Sequence, residues 1–182
     1  MRATVLCLIL GSATTIAAQS LSVSVCNLGD MPESDLRRAE SEATAVFRSA
    51  GVEILWRGCD DSPAPGEHSI TIRLRNDKPP VTTGSMSLDA MGRAFLGDNG
   101  HGYLADTYYQ AVSDLAGRHQ ADAAVLLGFV IAHEIGHLLL GPGHVSDGVM
   151  RTGWNVSELQ ALRQRWLRFN QAESARIRQA LQ

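Results

Sequence analysis

Apolar and polar residues alternate from Leu21 to Leu28, the pattern of a half-buried strand, and Gly29-Asp30 ends it. From Pro32 to Ala50 the spacing lengthens, and Leu36, Ala39, Ala43, Val46 and Phe47 fall on one face of a helix with charges opposite. Gly51 stops that helix, because glycine takes the left-handed turn at a helix end without a Cβ penalty. Strand patterning returns at Val52–Trp56 and again at Ser69–Arg75, where Ile70, Ile72 and Leu74 face one way. A Pro-containing loop at 60–66 separates these two strands, and a turn-rich stretch at 76–83 follows. Between Gly84 and Tyr109 one or two short strands are expected, with GRAFLG at 92–97 the best candidate and a Gly-rich bend at His101-Gly102-Tyr103.

At Asp122 the pattern changes. Residues 123–132 are continuously apolar and run on through HEIGHLLLG. A run of about 18 residues approaches the length that spans a bilayer. His133, Glu134 and His137 lie inside it, and ionisable groups in lipid are costly, so a central helix enclosed by the fold is expected instead. Gly141-Pro142 ends it. A last helix is expected over about Ser157 to Leu181, with Ser157 as its N-cap. The sum is an α+β fold: a strand–helix–strand half, then a helical half, with no internal repeat and no linker that would divide residues 19–182.

Composition narrows the class. The chain has 182 residues, enough for one ordinary domain, with 45% hydrophobic and 19% charged residues, as in a soluble globular protein. A formal charge of -3 and 5% aromatics supply neither a basic field nor a stacking surface, so no nucleic-acid partner is expected. Residues 1–18 have Arg2, an apolar stretch from Ala3 to Leu10 and a small-residue exit at Ala17-Ala18, which is the layout of a cleaved secretory signal peptide. Its apolar core is too short to span a membrane, so no membrane anchor is expected after cleavage. The mature chain is then secreted or periplasmic, and a monomer is expected. Two cysteines remain, Cys26 and Cys59, and an even count in an oxidising compartment favours a disulfide over two buried thiols. The bridge would tie the ends of two strands and contribute roughly 3–4 kcal/mol by restricting the unfolded chain.

The candidate chemistry lies in twelve residues. His133, Glu134 and His137 form H-E-x-x-H on the central helix, and residues i and i+4 share a face, so both imidazoles can reach one metal ion. Neutral imidazoles suit Zn²⁺, and three protein ligands would leave a fourth position open for water. Glu134 is one residue on, about 100° round the helix, where a general base would take a proton from that water. His144 follows His137 by seven residues, and a reversal at the glycine would bring it back over the helix as third ligand. Two rivals for that place remain: Glu158 on the following helix, and Asp147.

HEIGHLLLGPGH followed by VSDGVM resembles the metzincin zinc peptidases, whose extended motif is H-E-x-x-H-x-x-G-x-x-H with a methionine turn. This chain has one extra residue between His137 and Gly141, which moves the glycine about 100° round the helix. The resemblance implies a zincin-like single domain with a mixed twisted sheet, an active-site helix and a C-terminal helix. It implies one Zn²⁺ on His133, His137 and His144, Glu134 as catalytic base, and Met150 as an apolar floor beneath the metal. It also implies a protein or peptide substrate laid along an edge strand, with GRAFLG the candidate. The competing class is a zinc-stabilised secreted binding module that cleaves nothing; Glu134 counts against it, because a structural zinc site needs no base.

Weaker features have plainer readings. His68, His101 and His119 are scattered singly, although His101 with Asp98 could form a second metal site. Tyr103, Tyr108 and Tyr109 are candidates for holding an oxyanion, with ordinary packing favoured. Arg163, Arg165, Arg168, Arg176 and Arg178 make the last helix basic, which reads as a solvated face.

Overall fold

Residues 19–77, 91–153 and 167–182 are described by a computed structural model. The alternating segments become β1 (Gln19–Asn27), β2 (Val52–Gly58), β3 (Ser69–Arg75), β4 (Gly92–Phe95) and β5 (Leu104–Tyr108). They form one sheet in the order β2-β1-β3-β5-β4, parallel throughout except for β4, which runs antiparallel to β5 at the edge. Ile70, Ile72 and Leu74 of β3 are buried in the core, as their alternation requires, whereas β1, flanked by β2 and β3, is not half-buried as expected: Ser22, Ser24 and Cys26 are covered along with Leu21, Val23 and Val25.

Four helices complete the described residues: α1 (Glu33–Ser49), α2 (Tyr109–Arg118), α3 (Ala123–Leu140) and α4 (Gln171–Ala180). Helix α1 packs on β2, α3 packs on β4 and β5, and α2 and α4 lean on α3. The length and hydropathy of α3 would suit a membrane span, but most of it is buried by protein, which is why it is apolar nearly all round. Its first turn is fixed by Asp122, whose side chain accepts from the N–H groups of Ala124 and Val125 and pairs with Arg38 of α1. Where α1 meets α3 there is no room for a side chain: a Cβ on Gly128 would lie 2.6 Å from the Ala39 carbonyl oxygen and 2.6 Å from Glu42 Cβ.

Cys26 and Cys59 are bonded, with Cα atoms 4.6 Å apart, and join the end of β1 to the residue after β2. The expected signal peptide at 1–18, the N-cap at Ser157 and the rival ligand Glu158 lie outside the described residues.

Two helices also differ from the sequence expectation. Helix α2 was not expected, although Tyr109, Val112, Leu115 and Ala116 recur at helical spacing and pack on the core. The last helix does not run unbroken to Leu181 from further upstream. Residues 167–170 are not helical, and α4 starts after Asn170, whose side chain accepts from the Glu173 N–H while Glu173 accepts from the Asn170 N–H. That reciprocal capping box fixes a helix start inside a stretch whose periodicity alone reads as continuous. The basic residues of α4 are not simply solvated either. Arg176 donates to the Leu140 carbonyl and Arg178 to the Ala50 carbonyl, so each meets an unsatisfied group at a helix C-terminus.

Substituting glycines separates these contributions. Gly128→Ala should destabilise the protein by about 1–3 kcal/mol despite alanine's better helix propensity, because the helices must part. Gly117→Ala in α2, where an added Cβ meets nothing within 4 Å, should stabilise it by about 0.5–1 kcal/mol. Urea unfolding of the two variants beside the parent measures both.

Candidate metal centre

The i, i+4 spacing on α3 brings the rings of His133 and His137 together, with centroids 4.6 Å apart. Helix α3 ends at Gly141, whose φ of +92° only glycine adopts readily, and the chain turns back from there. His144 returns over the helix: its ring centroid is 5.3 Å from that of His133 and 4.8 Å from that of His137. One ligand nitrogen from each of the three histidines lies within 4.8 Å of the others. His144 is exposed, whereas His133 and His137 are largely covered.

The second nitrogens fix the chemistry of the first. His133 Nδ1 lies 2.7 Å from the Val149 carbonyl oxygen, and His137 Nδ1 lies 3.2 Å from that of Gly141. A carbonyl can only accept, so each Nδ1 carries the hydrogen and each neutral ring keeps its lone pair on Nε2. Those Nε2 atoms face each other at 3.0 Å. Burial lowers both pKa values, that of His133 to about 4 with the neighbouring imidazoles adding to the effect, so the rings are uncharged near neutrality. Lone pairs at this separation repel, and a shared cation converts the repulsion into two bonds. The residues therefore fit a zinc ion: three imidazole donors, two of them oriented by main-chain carbonyls, as metal-ligating histidines commonly are.

Glu134 is 5% exposed and lies across β4. An added Cβ on Gly92 would collide with its carboxylate, so the glycine makes the seat in which the side chain rests. The Ala94 N–H faces the carboxylate and favours its charged form. Burial pushes the Glu134 pKa up to about 8, against the pull of that N–H. A dication on the adjacent imidazoles would draw it back down, since opposite charge nearby favours the carboxylate.

Beneath the site Met150 is 2% exposed. A Cβ on Gly136 would collide with the Met150 sulfur and lie 3.0 Å from Phe169 Cε1, so the methionine packs on the helix backbone between the two histidines. Its segment is pinned: the Val145 N–H donates to the Met150 carbonyl at 3.1 Å, and the Val149 N–H to that of Arg168 at 3.2 Å. The turn that supplies His144 thus also supplies the carbonyl that orients His133.

Of the remaining candidates, Asp147 spends a carboxylate oxygen on the Gly148 N–H and does not join the three histidines. His101 and Asp98 line a cleft with Phe95, Leu96 and Tyr103, but among the described residues they form no group of three ligating side chains. Tyr108 is buried in the fold and Tyr103 is 75% exposed. Sequence reasoning missed Gly92 and Ala94. The one signal was a glycine inside a strand pattern, which marks a close approach by another group.

No protein-family model matches this chain, and no curated protein matches it. Among solved structures, archaemetzincin from Methanopyrus kandleri is similar, with a TM-score of 0.55 over 93% of this chain and 98% of that one, at 14% sequence identity. The fold is zincin-like. At that identity the likeness lies in the architecture, and the case for the site rests on the geometry above.

Gly136→Ala should cost about 1–3 kcal/mol by displacing Met150 and should loosen zinc by moving the turn that carries His144. Unfolding in urea and competition with a chromogenic chelator would record the two effects.

Proposed function

We propose that this chain is a zinc-dependent endopeptidase, exported after removal of residues 1–18 and working as a monomer on protein or peptide substrates. The observation that carries the reading is the convergence of His133, His137 and His144 beside a buried carboxylate, Glu134, on the same helix. The similarity of fold to archaemetzincin supports it, and the Cys26–Cys59 bridge agrees with an oxidising compartment.

His133, His137 and His144 would hold one zinc ion through imidazole nitrogen, with the Val149 and Gly141 carbonyls keeping two of the rings in the ligating tautomer. Bound zinc supplies a Lewis acid that makes water a nucleophile near neutral pH and polarises a scissile carbonyl. Glu134 accepts the proton of the attacking water on a carboxylate oxygen and delivers it to the leaving amine nitrogen. Its burial keeps bulk water from competing for that proton. The outer side of β4, unpaired among the described residues, would take the peptide main chain in strand pairing, which would set the scissile bond above α3.

Metal content and peptide-library cleavage of the mature chain test the reading. The parent should carry one zinc and cleave. Glu134→Gln should keep the zinc and lose about 100-fold or more in kcat, the scale of a positioned general base. His144→Ala should lose zinc far more readily than Glu158→Ala; the reverse order would move the third ligand to the carboxylate. Zinc without cleavage in the parent would favour a binding module.

A further inference from the structure

Two polar groups beside Glu134 share one explanation. Among the described residues, strand β4 is the edge of the sheet, so alternate main-chain N–H groups point away from β5 toward whatever lies alongside. The outward N–H of Ala94 faces the Glu134 carboxylate, which is seated on Gly92 two residues away, and favours its charged form. A donor that an incoming strand would use therefore lies against the base itself. On β5, the Thr107 hydroxyl is fully buried and has no hydrogen-bond partner among the described residues. Native folds rarely keep such a group without a use.

Register brings the two together. Thr107 pairs with Gly92 across the two strands, and directly opposed residues project from the same face of a sheet. Gly92 has no side chain, and Glu134 fills its place, with Cγ and Cδ each 2.6 Å from where the Cβ would stand. Thr107 is thus the cross-strand neighbour of the space that Glu134 occupies.

We propose that Glu134 changes hydrogen-bond donor when a peptide pairs with β4: the Ala94 N–H passes to a peptide carbonyl, and the Thr107 hydroxyl takes over the carboxylate. This rests on the peptidase reading above. No proton changes hands. One donor leaves the base, the donor with no partner replaces it, and the substrate gains the freed N–H. Thr107 is a positioning residue that acts through Glu134, and Gly92 leaves the space in which the carboxylate shifts. Because the trigger is main-chain pairing, any peptide that adds to the edge completes the exchange whatever its side chains.

The test uses the mature zinc-loaded chain, a peptide selected by library cleavage, and the variants Thr107→Val, Thr107→Ser and Glu134→Ala. Thr107→Val should lower kcat about tenfold or more, the scale of one hydrogen bond to a charged group. KM and zinc content should not change, and the urea midpoint should stay level or rise, because valine removes a buried hydroxyl. Thr107→Ser keeps the hydroxyl and should keep most of kcat. The Ala94 amide should exchange slowly with deuterium in the parent and fast in Glu134→Ala. Parental kcat in Thr107→Val, or an equal loss in Thr107→Ser, overturns the proposal. So does Ala94 exchange that ignores Glu134→Ala, and cleavage by the parent would then leave the peptidase reading standing. A parent that binds zinc and cleaves no peptide overturns the peptidase reading, and the donor exchange falls with it.

Discussion

A helix that is apolar nearly all round must be enclosed, and α3 takes two imidazoles and a carboxylate into its enclosure. That constraint organises the rest of the molecule. The sheet covers α3 on one side, α1 crosses it so closely that only glycine fits at residue 128, and the Met150 turn closes its underside at Gly136. Each polar group carried inward needs a partner that enclosure would otherwise deny it. His133 finds the Val149 carbonyl, His137 that of Gly141, and Glu134 the Ala94 N–H. These partners come from three different segments, so the site is a product of tertiary packing although three of its side chains lie within one turn and a half of helix.

The same enclosure sets the electrostatics. Burial disfavours charge on either kind of group, which lowers the histidine pKa values and raises that of Glu134. Neutral imidazoles are the ligating form, so the environment that holds the helix in place also readies its donors for a cation. The carboxylate is the group left far from its ordinary state, and the positive charge of a bound metal is what would restore it.

Much of this was legible in the sequence. The alternation of Ser69–Arg75 and the one-sided face of α1 are period-2 and period-3.6 patterns that survive into the fold, because each element buries one side only. His133, Glu134, His137 and His144 were legible because ligand geometry on a helix is a matter of spacing. Helix α2 was legible too, in the helical spacing of Tyr109, Val112, Leu115 and Ala116, but the segment is short and follows directly on β5, so the stripe went unread. The break before α4 was hidden because Asn170 and Glu173 act through side-chain hydrogen bonds that periodicity does not register. The Gly92 seat and the Thr107 hydroxyl were invisible for a different reason: both depend on which strand lies under α3, and that is decided by the antiparallel turn of β4 onto β5.

The arginines of α4 have a temporal consequence. Arg178 closes the end of α1 across 128 residues of sequence, and Arg176 closes the end of α3 across 36. Helix α1 therefore gains its terminal partner only from a segment made more than a hundred residues later, and parallel pairing of β1 with β3 is itself non-local. Contacts of such sequence separation carry a large loop-closure cost and form late in folding.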